Sequence, residues 1–298
     1  MIKNFLPLWF VSLMFLIFSS NAIAKKINLD YKGLTTHANL ITAADNWQEQ
    51  NVALILHGTI AHNKMEIITA LQNAFKENGI SSLAINLSLG LSNRTGMYNC
   101  STPHNHKHTD SLEEIDLWLN WLKKQGAQSV ILFGHSRGGN QIAWYASKHN
   151  DDAIKQVVLL APGIIEPDEL AKEYEKKYKT PLKPILEKAK SLVAKGKGDQ
   201  MIKDIDFIYC PKTSATAAAF VNYYQENNNF YTPGLVNKIQ KPVIVIAGSD
   251  DKVSEDVLSK MAEVGEKENV SLHEIDGADH FFRDLYIEEV MEIILESL

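Results

Sequence analysis

The chain has 298 residues, of which 45% are hydrophobic and 22% charged, with a formal net charge of -6. Those values describe a globular protein with a sizeable core, built as one large domain or as a domain carrying an insertion. An acidic balance lacks the basic footprint that binding to nucleic acid requires, so that class is set aside.

The N-terminal residues stand apart from the rest. Lys3 supplies a positive charge, an apolar run extends from Phe5 to Phe18, and Ser19, Ser20 and Asn21 lead to the small-x-small triplet Ala22-Ile23-Ala24. That order reads as a secretory signal peptide over residues 1–24, with Lys25 starting the mature, exported chain. The alternative is an uncleaved anchor, but the apolar run falls short of the roughly 20 residues needed to span a bilayer. No cysteine lies near the cleavage triplet to take a lipid, and no later segment has the length and apolarity of a membrane span.

Residues 25 to 45 alternate weakly through Ile27, Leu29 and Tyr31, as one or two edge strands would. Apolar runs and helical patterns then alternate. Val52–Leu56 reads as a buried strand ending at His57-Gly58, Met65–Lys76 as a helix stopped by Gly79, and Leu83–Leu89 as a second strand. Asp110–Lys124 has an apolar stripe of Ile115, Trp118, Leu119 and Leu122, with Asp110 and Glu113 spaced as a capping box. Val130–Phe133 is the third strand, followed by a helix that includes Ile142–Lys148, and Val157–Leu160 is the fourth. Val243–Ile246 and Leu272–Ile275 complete the strands, and Ile287–Leu295 the helices. Uninterrupted apolar strands separated by helices indicate a mostly parallel sheet covered on both faces. Between about 164 and 238 the alternation breaks. Lys-rich helices (Leu170–Tyr178, Leu182–Ala194) give way to an aromatic stretch with Phe207, Tyr209, Phe220, Tyr223, Tyr224, Phe230 and Tyr231, which reads as a helical insertion.

The strongest chemical signal is Gly134-His135-Ser136-Arg137-Gly138-Gly139, placed after a strand and before a helix. A G-x-S-x-G turn in that setting lifts a serine hydroxyl above a sheet edge, and its glycines allow strand and helix to approach closely. The residue after the serine starts the helix, so its N–H faces incoming negative charge. A serine nucleophile needs a base, and the base needs an orienting acid. Gly248-Ser249-Asp250-Asp251 follows the Val243 strand, and Gly277-Ala278-Asp279-His280 follows the Leu272 strand.

With these turns the chain resembles the α/β-hydrolase superfamily, over nearly all of the mature sequence except the first strands and the insertion. The resemblance implies an α/β-hydrolase fold over 25–298 with a helical cap at about 164–238. It assigns Ser136 as nucleophile, His280 as base and Asp251 as acid, Asp250 in the same turn staying open as a competitor. Asp279 adjoins His280, where neighbours rarely face each other, and His273 lies within a strand. The backbone of Arg137 is the expected first oxyanion donor. The His57-Gly58 pair maps the second donor onto Thr59, although the family often carries more glycines where this chain has Thr59-Ile60-Ala61-His62.

The implied reaction is acyl transfer to water on a small-molecule carboxylic ester or related acyl substrate, esterase- or lipase-like, with no cofactor. A peptidase or amidase on the same triad and a non-catalytic exported binding protein on the same scaffold are the alternatives. The two cysteines, Cys100 and Cys210, either form one disulfide between distant loops or stay as thiols. His104, His106 and His108 alternate on one loop; they lack the paired cysteines of closed zinc sites, and the loop reads as polar, near the site mouth. Arg94 and the Arg137 side chain read either as loop-bracing charges or as guides for an anionic substrate.

Overall fold

The computed structural model describes residues 24–298; the expected signal segment, apart from Ala24, lies outside the described residues. Its elements follow in chain order: β1 (Lys25–Tyr31), β2 (Leu34–Ile41), β3 (Asn51–Leu56), α1 (Glu66–Glu77), β4 (Ser81–Asn86), α2 (Asp110–Lys124), β5 (Ser129–His135), α3 (Arg137–Lys148) and β6 (Ile154–Leu160). Then come α4 (Leu170–Tyr178), α5 (Leu182–Ala194), β7 (Met201–Phe207), β8 (Cys210–Thr216), α6 (Ala217–Tyr224), α7 (Thr232–Val236), β9 (Val243–Gly248), α8 (Val257–Met261), β10 (Val270–Ile275) and α9 (Tyr286–Leu295).

Eight strands form one sheet in the order β1-β2-β4-β3-β5-β6-β9-β10. β1 and β2 pair antiparallel, β2 runs antiparallel to β4, and the remaining pairs are parallel. Side chains alternate across the sheet. Val52, Leu54 and Leu56 of β3 join Ile115, Trp118 and Ile142 on one face, while Ala53 and Ile55 join Ile68, Leu71, Phe75 and Val290 on the other. Both faces are therefore covered, which is why the central strands read as continuous apolar runs. Among the described residues no helix is long and apolar enough to cross a membrane.

Three expectations are corrected. β2 is not an edge, because it pairs with both β1 and β4. The capping box on α2 does not form. Asp110 already lies in the helix and accepts from the Lys107 N–H at 2.7 Å, while Glu113 is engaged by Tyr31 and Lys32 of the β1–β2 hairpin. The segment between β6 and β9 is not wholly helical, since β7 and β8 form a separate two-stranded sheet. Its register shifts between Lys203 and Ile205 and again before Phe207, with Asp204 at φ 53°. These bulges break the period-two pattern by which a strand is recognised.

The long loop before α2 is fastened to that hairpin. Cys100 and Cys210 form a disulfide with their Cα atoms 5.2 Å apart, and Thr213 Oγ1 donates to the Cys100 carbonyl at 2.8 Å. The His104 N–H donates to Ser214 at 2.8 Å, and its carbonyl accepts from Thr216 at 2.9 Å. The inserted segment is thus anchored to the main sheet by a second part of the chain as well as at its own two ends.

Candidate active site

Because β3, β5, β6, β9 and β10 run parallel, the loops that follow them gather at one sheet edge. Ser136 sits where β5 turns into α3, with φ 57° and ψ -126°, a conformation that L residues rarely adopt. The surroundings hold it there: its N–H donates to Leu160, and its carbonyl accepts from Gly139 and Gly163. The glycines are required by contact distance. A Cβ on Gly134 would stand 2.4 Å from the Gly138 carbonyl oxygen, and one on Gly138 would stand 2.5 Å from that of His57.

Asp251 and His280 come together across the turns after β9 and β10. His280 Nδ1 donates to Asp251 Oδ2 at 2.7 Å, and both residues are buried. Asp251 Oδ1 accepts from the N–H groups of Val253 and Ser254 at 2.7 and 2.9 Å. Burial pushes this carboxyl up, but the bonds from His280, Ser254 and Val253 outweigh it and hold the pKa below the usual aspartate value. Asp250 is exposed, and its backbone N–H bonds to Ala278, so the geometry favours Asp251 as the partner of His280. Asp279 is engaged by Arg283 and by the Phe281 N–H.

Ser136 and His280 make no hydrogen bond within 3.5 Å; the two are linked through His135, which the sequence reading passed over. Its Nε2 donates to the His280 carbonyl at 2.8 Å, and the two rings lie 4.8 Å apart. Burial, then the neighbouring His280, bring the His135 pKa down to about 4, so the ring serves as a neutral donor. The residue just before the serine therefore fixes the loop that carries the imidazole. The free position of the G-x-S-x-G pattern was the only sequence signal for it.

The two expected oxyanion donors also meet here. The N–H of Arg137 opens α3, and neither it nor the N–H of Thr59 has a protein acceptor among the described residues. His57 orients the peptide that precedes Thr59. Its Nδ1 donates to the Gly58 carbonyl at 2.9 Å, which fixes the peptide plane bearing the Thr59 N–H. Its Nε2 accepts from the Leu87 N–H at 3.2 Å. Burial, reinforced by the Arg94 charge, lowers the His57 pKa to about 3 and keeps it in that neutral tautomer. Arg94 is a loop brace, bonded to the Leu87 and Gly96 carbonyls and to Asn86.

The histidine loop is not a solvated polar loop. His104, His106 and His108 are 0–1% exposed. His104 Nδ1 faces His106 Nε2 at 3.1 Å, His106 Nδ1 faces the Tyr223 hydroxyl at 3.0 Å, and the His104 ring stacks on Tyr98 at 4.6 Å. His108 Nδ1 instead accepts from Arg137 Nη1 at 3.2 Å, and among the described residues no three His, Cys, Asp or Glu are grouped as a metal would need. Burial keeps His106 and His108 well below the usual histidine pKa.

A cavity of about 460 Å³ lies over Ser136, within the size range of small-molecule sites. Thr59, Arg137 and Gly163 line its floor, and Tyr174, Tyr178, Tyr223, Tyr224 and Phe230 form an aromatic wall supplied by the inserted segment.

The chain matches the model of the alpha/beta hydrolase fold over residues 53–284. A search of curated proteins finds no match. Among solved structures it is similar to Est1E from Butyrivibrio proteoclasticus, with 20% identity and a TM-score of 0.65 over 91% of this chain and 98% of that one. Est1E has also been solved with ferulic acid bound. GrgF from Penicillium sp. sh18 gives 18% identity and a TM-score of 0.63 over 92% and 96% of the two chains. The monoacylglycerol lipase of Paleococcus ferrophilus gives 19% and 0.56 over 88% and 97%. With the elbow, the parallel sheet and the gathered loops in place, the chain belongs to the α/β-hydrolase family.

Proposed function

We propose that this protein is an exported serine hydrolase that cleaves carboxylic esters through an acyl-enzyme. The observation that carries the reading is the Asp251–His280 pair, bonded at 2.7 Å and tied through His135 to the strained turn bearing Ser136. His280 Nδ1 is committed to Asp251, which leaves Nε2 as the face that accepts a proton. In the proposed reaction Nε2 takes the Ser136 proton as the hydroxyl oxygen attacks the ester carbonyl. The N–H groups of Arg137 and Thr59 hold the oxyanion. His280 returns the proton to the departing alcohol, then takes one from water as that water attacks the acyl-serine. As that intermediate collapses, the acyl–Oγ bond breaks, His280 gives the proton it took from water to Ser136 Oγ, and the acid is freed.

Neighbours in fold that are named as an esterase domain and a lipase support ester chemistry at the general level. Export is supported by the Cys100–Cys210 disulfide, which suits an oxidising compartment. A panel of p-nitrophenyl esters of increasing acyl length, run beside peptide anilides, tests the reading. Ester turnover lost in Ser136→Ala is expected. Anilide turnover above ester turnover, or equal turnover by the variant, contradicts it.

A further inference from the structure

The proposed acyl transfer uses the backbone of Arg137 and leaves its guanidinium unexplained. That side chain lines the cavity over Ser136. Nε donates to Thr59 Oγ1 at 3.0 Å, Nη1 donates to His108 Nδ1 at 3.2 Å, and the group lies 5.6 Å from the Tyr223 ring centre. A guanidinium has five N–H donors. Those two bonds leave the remaining donors on Nη1 and Nη2 with no protein acceptor among the described residues. No carboxylate lies within ion-pair distance of it among those residues. His108 supplies no counter-charge either, because the guanidinium bonds to its ring nitrogen as an acceptor.

A second cation faces the same space from the cap. Lys177 of α4 also lines the cavity, with its ammonium 3.1 Å from the Tyr209 ring centre and no ion pair among the described residues. Burial at the wall, then the Arg137 charge, lower its pKa to about 8, against a smaller opposing pull from Glu173. Glu173 lines the wall as well, but it stands beyond ion-pair range of both, and the nearby Lys260 is already paired with Glu166 at 3.2 Å.

A neutral acyl chain filling this cavity would leave the free guanidinium edge without a partner. A carboxylate matches it, because two oxygens accept side by side from the planar fork. We propose that the cavity selects esters that carry a carboxylate, held on the free Nη edge of Arg137 with Lys177 as the second cation from the cap. This rests on the ester-hydrolase reading and names the substrate class of that same site.

The test compares the 4-nitrophenyl monoester of glutaric acid with 4-nitrophenyl pentanoate, which share a leaving group and differ chiefly in charge. In wild type the anionic ester should be favoured in kcat/KM by about tenfold or more. That ratio should fall toward one in Arg137→Gln, and part of the way in Lys177→Gln. Only the ratio is read, since Arg137 also braces Thr59. High salt should raise KM for the anionic ester alone. Preference for the neutral ester in wild type, or an unchanged ratio in Arg137→Gln, overturns the proposal. Calorimetry with glutarate, set against the neutral diamide, reads the anion site without turnover. Glutarate binding that is lost in Arg137→Gln supports the site even if neither ester is cleaved, an outcome that would overturn the hydrolase reading instead. No glutarate binding to wild type overturns the anion site.

Discussion

Asp250 and Asp251 follow the same strand and share the same charge, yet only Asp251 reaches the imidazole of His280. The difference should be large in kinetics. Asp251→Asn leaves the shape in place but offers the ring an amide, which disturbs the tautomer. We expect kcat on a p-nitrophenyl ester to fall by roughly 10³- to 10⁴-fold, while Asp250→Asn stays within about twofold, as for an exposed side chain. Equal losses in both variants would move the acid role away from Asp251. His135 acts at one remove, by holding the His280 carbonyl. His135→Ala should lower kcat with little change in KM, because it loosens the base and touches no substrate. The sequence showed the serine, the histidine and the aspartate turn, because each occupies a patterned loop. It could not separate two adjacent aspartates, since their directions are set by the Val253 and Ser254 N–H groups that grip one of them.

At the level of elements, helices with a clean apolar stripe were legible: α2, α4 and α5 begin and end where their periodicity does. The cap hairpin was hidden because bulges at Asp204 and before Phe207 interrupt its alternation. The capping box was misread because Asp110 and Glu113 had the right spacing but other partners, in Lys107 and in the β1–β2 hairpin. The burial of His104, His106 and His108 was equally hidden, because it depends on Phe207, Tyr223 and Phe230 arriving from the inserted segment. The disulfide that fastens the cap spans a sequence separation of 110. Replacing both cysteines by alanine should reduce stability by about 2–4 kcal/mol, chiefly by freeing the unfolded chain. A fall in Tm read by calorimetry checks this, and an unchanged Tm would mean that the β-bridge at His104 and the Thr213 bond suffice. At the elbow, Gly138→Ala pushes a methyl group into the His57 carbonyl, so soluble protein with wild-type turnover would contradict the described packing.

For the whole molecule, buried histidines set the response to acid. His57, His104 and His135 have pKa values lowered to about 3, 4 and 4, with burial the largest cause in each. A histidine depressed in the folded state contributes stability that is present above its unfolded value near 6.5 and is lost as pH falls through the folded value. Glu114 works in the opposite sense. Burial raises it to about 7, so its contribution is present below its ordinary value of 4.5 and is lost as pH rises through 7. The histidines outnumber it, and we expect the urea midpoint to fall between pH 7 and pH 4.5. A midpoint that rises over that range would contradict the burial of these rings as neutral groups. The most direct test of the account is labelling with a fluorophosphonate probe, followed by peptide mapping by mass spectrometry. Covalent modification at Ser136 that is slowed at least about a hundredfold in His280→Ala is the predicted result. A modified residue elsewhere, or labelling at Ser136 that is indifferent to loss of the imidazole, would contradict it.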